Sequence, residues 1–142
     1  MTKSVLALDV GVHTGVAAAI ISKRSVNLCM ADTLYEHPNT LPTAWWKEVI
    51  PQFDVVVVEY PQPNNFSRDI KRTLAHAAHW RLFLLSHPHK IEVQPGTWKN
   101  SPAKIWDPLN IFWPKPRKRV PTKHELDACK MLYWFSLTLK AD

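Results

Sequence analysis

The chain is short of glycine: only three occur in 142 residues, and two of them, Gly11 and Gly15, follow closely on Asp9. Backbone freedom is therefore concentrated at one place. Cysteine is equally scarce. Cys29 and Cys129 lie too far apart for a Cys-x-x-Cys redox or zinc pair, and they read as reduced core thiols. No apolar run reaches the length of a membrane span. The start, Met1-Thr2-Lys3-Ser4, leads straight into an apolar stretch without a signal-peptide pattern, so a cytoplasmic protein with no membrane partner is expected. Acid is the minority charge, 12 Asp and Glu against 18 Lys and Arg, giving +6 and a pI near 9.5. That balance suits a polyanionic partner without naming one. Repeats and low-complexity tracts are absent, which leaves one domain over residues 1–142.

What is present is an ordinary globular composition, 46% apolar and 21% charged, with high counts of 12 Pro and 7 Trp. Such a chain buries a sizeable core. The run Val5-Leu6-Ala7-Leu8-Asp9 predicts a strand within a covered sheet. Val16 to Ile21 and Val26 to Met30 predict two more strands around a polar turn, completing an antiparallel meander. Asp32 to Thr40 reads as loop. A helix is expected from Leu41 to Ile50, opened by Pro42 or Thr43 and stopped by Pro51, with Trp45, Trp46 and Val49 on its inner side. Val55-Val56-Val57-Val58-Glu59 is apolar on both faces, as a central parallel strand is, and Asp54 opens it. Ser67 is a candidate N-cap for a helix over 70–86 with Ile70, Leu74, Ala77, Ala78, Arg81 and Leu85 near one face. Ile91 to Val93 is a short strand. Thr122-Lys123-His124-Glu125 has the capping-box pattern, with Glu125 as the cap partner, and opens a last helix to about Leu139. Leu126, Cys129, Leu132, Tyr133 and Leu139 are its packing residues.

Two strand runs end in a carboxylate, Asp9 and Glu59. Ligands gather at the carboxyl ends of parallel strands, and a lone carboxylate is costly to bury. Asp9 has a plain alternative, accepting N–H bonds from the Gly11 turn. If the two strands are neighbours, the acids converge and repel unless a cation lies between them. His124 and Asp127, three apart, share a face of the last helix. Carboxylate oxygens with one imidazole suit Mg²⁺ or Mn²⁺. His76 and His79 read as packing or dimer-interface residues, His87 and His89 as surface.

This layout resembles the RNase H-like nuclease fold, and most of all the RuvC-type Holliday junction resolvases in a short, phage-like version. The resemblance rests on Leu8-Asp9-Val10-Gly11 with Thr14-Gly15, on Val57-Val58-Glu59, and on His124-Glu125-Leu126-Asp127-Ala128. It implies an α/β fold: a mixed five-stranded sheet, three strands as an antiparallel meander plus parallel strands, with helices on both faces. It implies a metal-dependent, structure-selective DNA endonuclease that resolves four-way junctions and other branched DNA by paired nicks, acting as a homodimer. Asp9, Glu59, His124 and Asp127 would be the catalytic and metal-binding residues, holding two Mg²⁺ ions per site with Mn²⁺ able to substitute.

The chain departs from the family where an aromatic wedge is expected soon after the catalytic Glu. Tyr60 follows at once, and Phe66 on the Asn64-Asn65 loop is the preferred wedge. Gln94-Pro95-Gly96-Thr97-Trp98-Lys99 replaces a Gly- and Lys-rich stretch, so sequence preference does not carry over. Arg68, Lys71 and Arg72, with Lys115, Arg117, Lys118, Arg119 and Lys123, are the candidate phosphate contacts. Three other readings remain. An RNase H-type ribonuclease would use Glu48, an actin-like phosphotransferase would bind phosphate at the first loop, and a junction-binding protein would lack catalysis.

Overall fold

The structure is a computed structural model that describes residues 2–11, 13–22, 26–34, 50–61, 70–85, 87–94, 98 and 123–141. Residues 41–49 of the expected helix, with Trp45, Trp46 and Glu48, the loop bearing Phe66 and Arg68, Lys99, the basic stretch with Lys115, Arg117, Lys118 and Arg119, and Thr122 lie outside these residues. The described elements are β1 (Thr2–Asp9), β2 (Thr14–Ser22), β3 (Val26–Leu34), β4 (Val55–Glu59), α1 (Ile70–Leu84), β5 (Lys90–Glu92) and α2 (Lys123–Ala141), with a 3-10 turn at Ile50–Gln52.

The strands form one five-stranded sheet in the order β3-β2-β1-β4-β5. β1 to β3 make the antiparallel meander, and β4 lies parallel to both β1 and β5. Every residue of β4 is buried, as its valine run requires. Val5, Ala7, Ala17, Ala19, Val55 and Val57 pack with Ala128, Cys129, Leu132 and Phe135 of α2. Leu6, Leu8, Val16, Val56 and Val58 pack on the opposite side with Ala77, Trp80 and Leu84 of α1. The helices thus cover both faces. Each fully buried Val or Leu contributes roughly 1.5–3 kcal/mol.

A reciprocal clamp sets where β4 begins. The Ser4 N–H donates to Asp54 Oδ2 at 2.8 Å, and the Asp54 N–H donates to Ser4 Oγ at 2.9 Å. The backbone bond from Ser4 is the main cause holding the Asp54 carboxyl below the usual carboxylate range. From that clamp the pairs run Val5↔Val55 through to Asp9↔Glu59. A one-residue slip would turn every side chain of β4 to the other face.

Several local expectations change. β3 continues through Leu34, so Asp32 and Thr33 are strand rather than loop. It does so across a bulge, where Ala18 pairs with Met30 but Ala19 pairs with Leu28. Among the described side chains of α1, His76, Ala77, Trp80 and Leu84 are buried, whereas Leu74 and Leu82, and Leu85 just past its end, are exposed, as are Ala78 and Arg81; the side chain of Ile70 lies outside the described residues. Trp80 decides this rotation: it is the largest apolar group on the helix, and its indole N–H donates to Thr14 Oγ1 at 3.3 Å. His87 is buried rather than a surface residue. Its Nε2 pairs with the Phe53 carbonyl at 2.9 Å and its Nδ1 accepts from the His89 N–H at 3.1 Å, a pattern that assigns the ring proton to Nε2. Among the described residues no helix is long and apolar enough to cross a membrane.

Candidate functional site

At the carboxyl end of β1 and β4 the register draws a row across the sheet. Thr33 pairs with Gly15, Gly15 with Asp9, and Asp9 with Glu59. Paired strands lie about 4.8 Å apart, so the two acids are immediate neighbours along the backbone. Alternation puts both on the α2 side, in phase with Ala7 and Val57 of the α2-facing core. Asp9 is half-buried and Glu59 is 7% exposed.

The start of α2 rests on the middle of this row. A Cβ built on Gly15 would overlap the carbonyl of His124, so the helix approaches the sheet through the space a side chain would fill. Glu125 then reaches toward the meander: it is fully buried, and its Oε2 accepts from Thr33 Oγ1 at 2.9 Å. Thr122, the expected capping partner of Glu125, lies outside the described residues. His124 and Asp127 are half-buried. The helix starts at Lys123, which puts His124 in the first turn and Asp127 just beyond it. His124 also meets the ring of His13 edge to face, centroids 5.6 Å apart. Burial first, and then the charge of His13, hold the His124 imidazole below its usual range against the opposing pull of Asp127. It is therefore neutral near pH 7, the form that ligates metals.

On the other flank, Trp98 donates its indole N–H to Glu59 Oε2 at 3.1 Å. Tyr60, next in the chain, turns to the opposite face and is buried against the α1 layer. The Arg81 guanidinium lies 4.2 Å from its ring centroid and ion-pairs Glu92 at 3.8 Å. Burial, and secondarily Glu92, push the Tyr60 hydroxyl up to about 12. Tyr60 therefore packs inside and presents no wedge.

The four expected ligands thus come from β1, β4 and the start of α2, elements that meet at one end of the sheet. Lys71, Arg72 and Lys123 are exposed. Carboxylates plus one imidazole suit a hard divalent cation, and the backbone places two of the donors side by side. Among the described residues, no three His, Cys, Asp or Glu side chains stand close enough to hold one ion. Adjacent carboxylates repel, and a cation is what would draw them to a common point.

Thr33, Glu125 and Trp98 are parts of this site that the sequence does not announce. For Glu125 a signal exists: it falls at i, i+3, i+4 and i+7 spacing with Ala128, Cys129 and Leu132, the buried stripe of α2. Nothing in the sequence points to the Trp98 bond, because the chain between β5 and Trp98 carries no periodicity.

No family model matches the sequence, and no match to a curated protein reaches significance. Solved structures do match. The chain superposes on Thermus thermophilus RuvC in complex with a Holliday junction substrate with a TM-score of 0.67 at 16% identity, covering 99% of this chain and 98% of that one. A second Thermus thermophilus RuvC structure gives a TM-score of 0.58 at 17% identity, with 99% and 95% covered. The likeness spans the chain and shows the fold, the mixed five-stranded sheet with covering helices of the RuvC type.

Proposed function

We propose that this protein is a metal-dependent, structure-selective DNA endonuclease that resolves four-way junctions. The observation that carries the reading is the row at the end of the sheet. Asp9 and Glu59 are register partners on adjacent parallel strands, and the turn of α2 that bears His124 is seated on Gly15 beside them. The fold shared with a RuvC solved on a Holliday junction substrate supports the substrate class.

In this reading Asp9, Glu59, His124 and Asp127 hold two Mg²⁺ ions, or Mn²⁺ in their place. When bound, such ions activate a water for in-line attack on a phosphodiester and stabilise the leaving oxygen. The chain's own residues set the stage. β1 and β4 fix the spacing of the two acids, Gly15 lets α2 close over them, and the neutral His124 ring is ready to ligate. The products are nicks with a 5′-phosphate and a 3′-hydroxyl.

Lys71, Arg72 and Lys123 are exposed, and with Arg68, Lys115, Arg117, Lys118 and Arg119 they form the proposed grip on phosphates, consistent with the net charge of +6. Phe66 remains the proposed wedge at the crossover. Paired nicks on opposed strands need two sites, so a homodimer is part of the proposal. The exposed Leu74 and Leu82 on α1, with Leu85 just past its end, suit its interface.

The test is cleavage of a synthetic four-way junction beside an RNA–DNA hybrid, with Mg²⁺, Mn²⁺ or EDTA. Paired nicks in the junction that need the metal are expected. Degradation of the hybrid alone would favour the ribonuclease reading. A non-catalytic junction binder is a second reading, favoured by the spread of the donor side chains; it predicts binding indifferent to metal and no nicks.

A further inference from the structure

The bond from Trp98 to Glu59 is buried at both ends, with Trp98 2% and Glu59 7% exposed. Water does not compete for such a bond, so its geometry persists. Trp98 is itself immobilised. Its ring packs in the α2-facing core with Val93 and Cys129, and Lys130 Nζ of α2 lies 5.8 Å from the ring centroid, within cation–π range. The indole is thus wedged between sheet and helix, and its N–H has one direction.

We propose that Trp98 is the positioning residue for Glu59: the indole N–H fixes the rotation of the carboxylate, so that its other acceptor sites serve a divalent cation shared with Asp9. This rests on Glu59 being a ligand of that cation. A carboxylate accepts through several lone pairs on two oxygens, and the indole bond is made at Oε2. An ion ligand benefits from such a bond because a carboxylate free to rotate must be ordered anew each time the metal binds. The opposite relation, Glu59 serving only to satisfy a buried indole, predicts no effect on metal affinity.

The two relations separate in Trp98→Phe, which keeps an aromatic ring and removes the donor, with Trp98→His as a variant that retains a ring N–H. Three quantities are read: junction binding without metal, the Mg²⁺ concentration for half-maximal nicking, and Mn²⁺ affinity of the protein alone by calorimetry. Trp98→Phe is expected to bind the junction as wild type does, to need roughly 10-fold more Mg²⁺ and to bind Mn²⁺ roughly 10-fold more weakly, with Trp98→His recovering part of the loss. If Trp98→Phe does not fold, benzothienylalanine at position 98 replaces the N–H by sulfur in the same shape and carries the same expectations. Unchanged Mg²⁺ dependence and Mn²⁺ affinity beside an active wild type overturn the positioning role alone. A wild type that neither nicks nor binds Mn²⁺ removes the endonuclease reading, and the proposal with it.

Discussion

Gly15 leaves room for a helix. Its Cβ position is taken by the backbone of His124, so Gly15→Ala must push α2 off the sheet or strain β2. Overpacking of this kind costs about 1–3 kcal/mol, read as a lowered urea midpoint, and junction nicking falls further than stability does because His124 moves with the helix. Thr33 holds the same turn from the side: Thr33→Val keeps the shape and removes the donor to the buried Glu125, a loss of about 1–3 kcal/mol. Two histidines add a pH dependence. Burial holds both His79 and His124 below the usual imidazole value of 6.5. The unfolded chain therefore binds protons there before the folded one does, and the native state is favoured above pH 6.5 and loses ground as pH falls through the folded values. Thermal melts from pH 8 down to pH 5 check this: stability should decline below about 6.5, and less so in a His79→Gln, His124→Gln double variant.

At the level of elements, α1 presents Leu82, 72% exposed, and Leu74 at 39%, with Leu85 just past its end also 72% exposed, on a surface away from the sheet. Leu82→Glu with Leu85→Glu should turn the proposed dimer into a monomer in analytical ultracentrifugation while far-UV dichroism stays unchanged; a variant that remains dimeric would move the interface elsewhere. Elements differ in how plainly the sequence declares them, for physical reasons. β1 and β4 are legible because an unbroken apolar run ending in an acid fits a covered strand and little else, and their pairing delivers Asp9 beside Glu59. The phase of α1 is not legible, because leucines fall on both its inner and outer sides, and the bond from Trp80 to Thr14 marks the inner face. The end of β3 is hidden because Asp32 and Thr33 have the chemistry of turn residues, yet Thr33 is in the strand and accounts for the burial of Glu125.

For the whole molecule, charge and site make separate demands. In the proposed reading the excess of base, +6, governs capture of DNA, and affinity for a junction should fall steeply with salt as counterions are released. Replacing Arg117, Lys118 and Arg119 together by Ala should flatten that dependence, measured by gel shift across a salt series. In the same reading the acids govern what happens after capture. Asp9→Asn removes the charge at β1 while keeping the side chain's shape, so it isolates the carboxylate from the fold and from the basic surface. Nicking of a four-way junction by wild type and Asp9→Asn, in Mg²⁺ and with binding measured in parallel, is therefore the most direct measurement. The expected result is equal binding with nicking reduced at least about 100-fold; equal nicking by the two proteins would contradict the account.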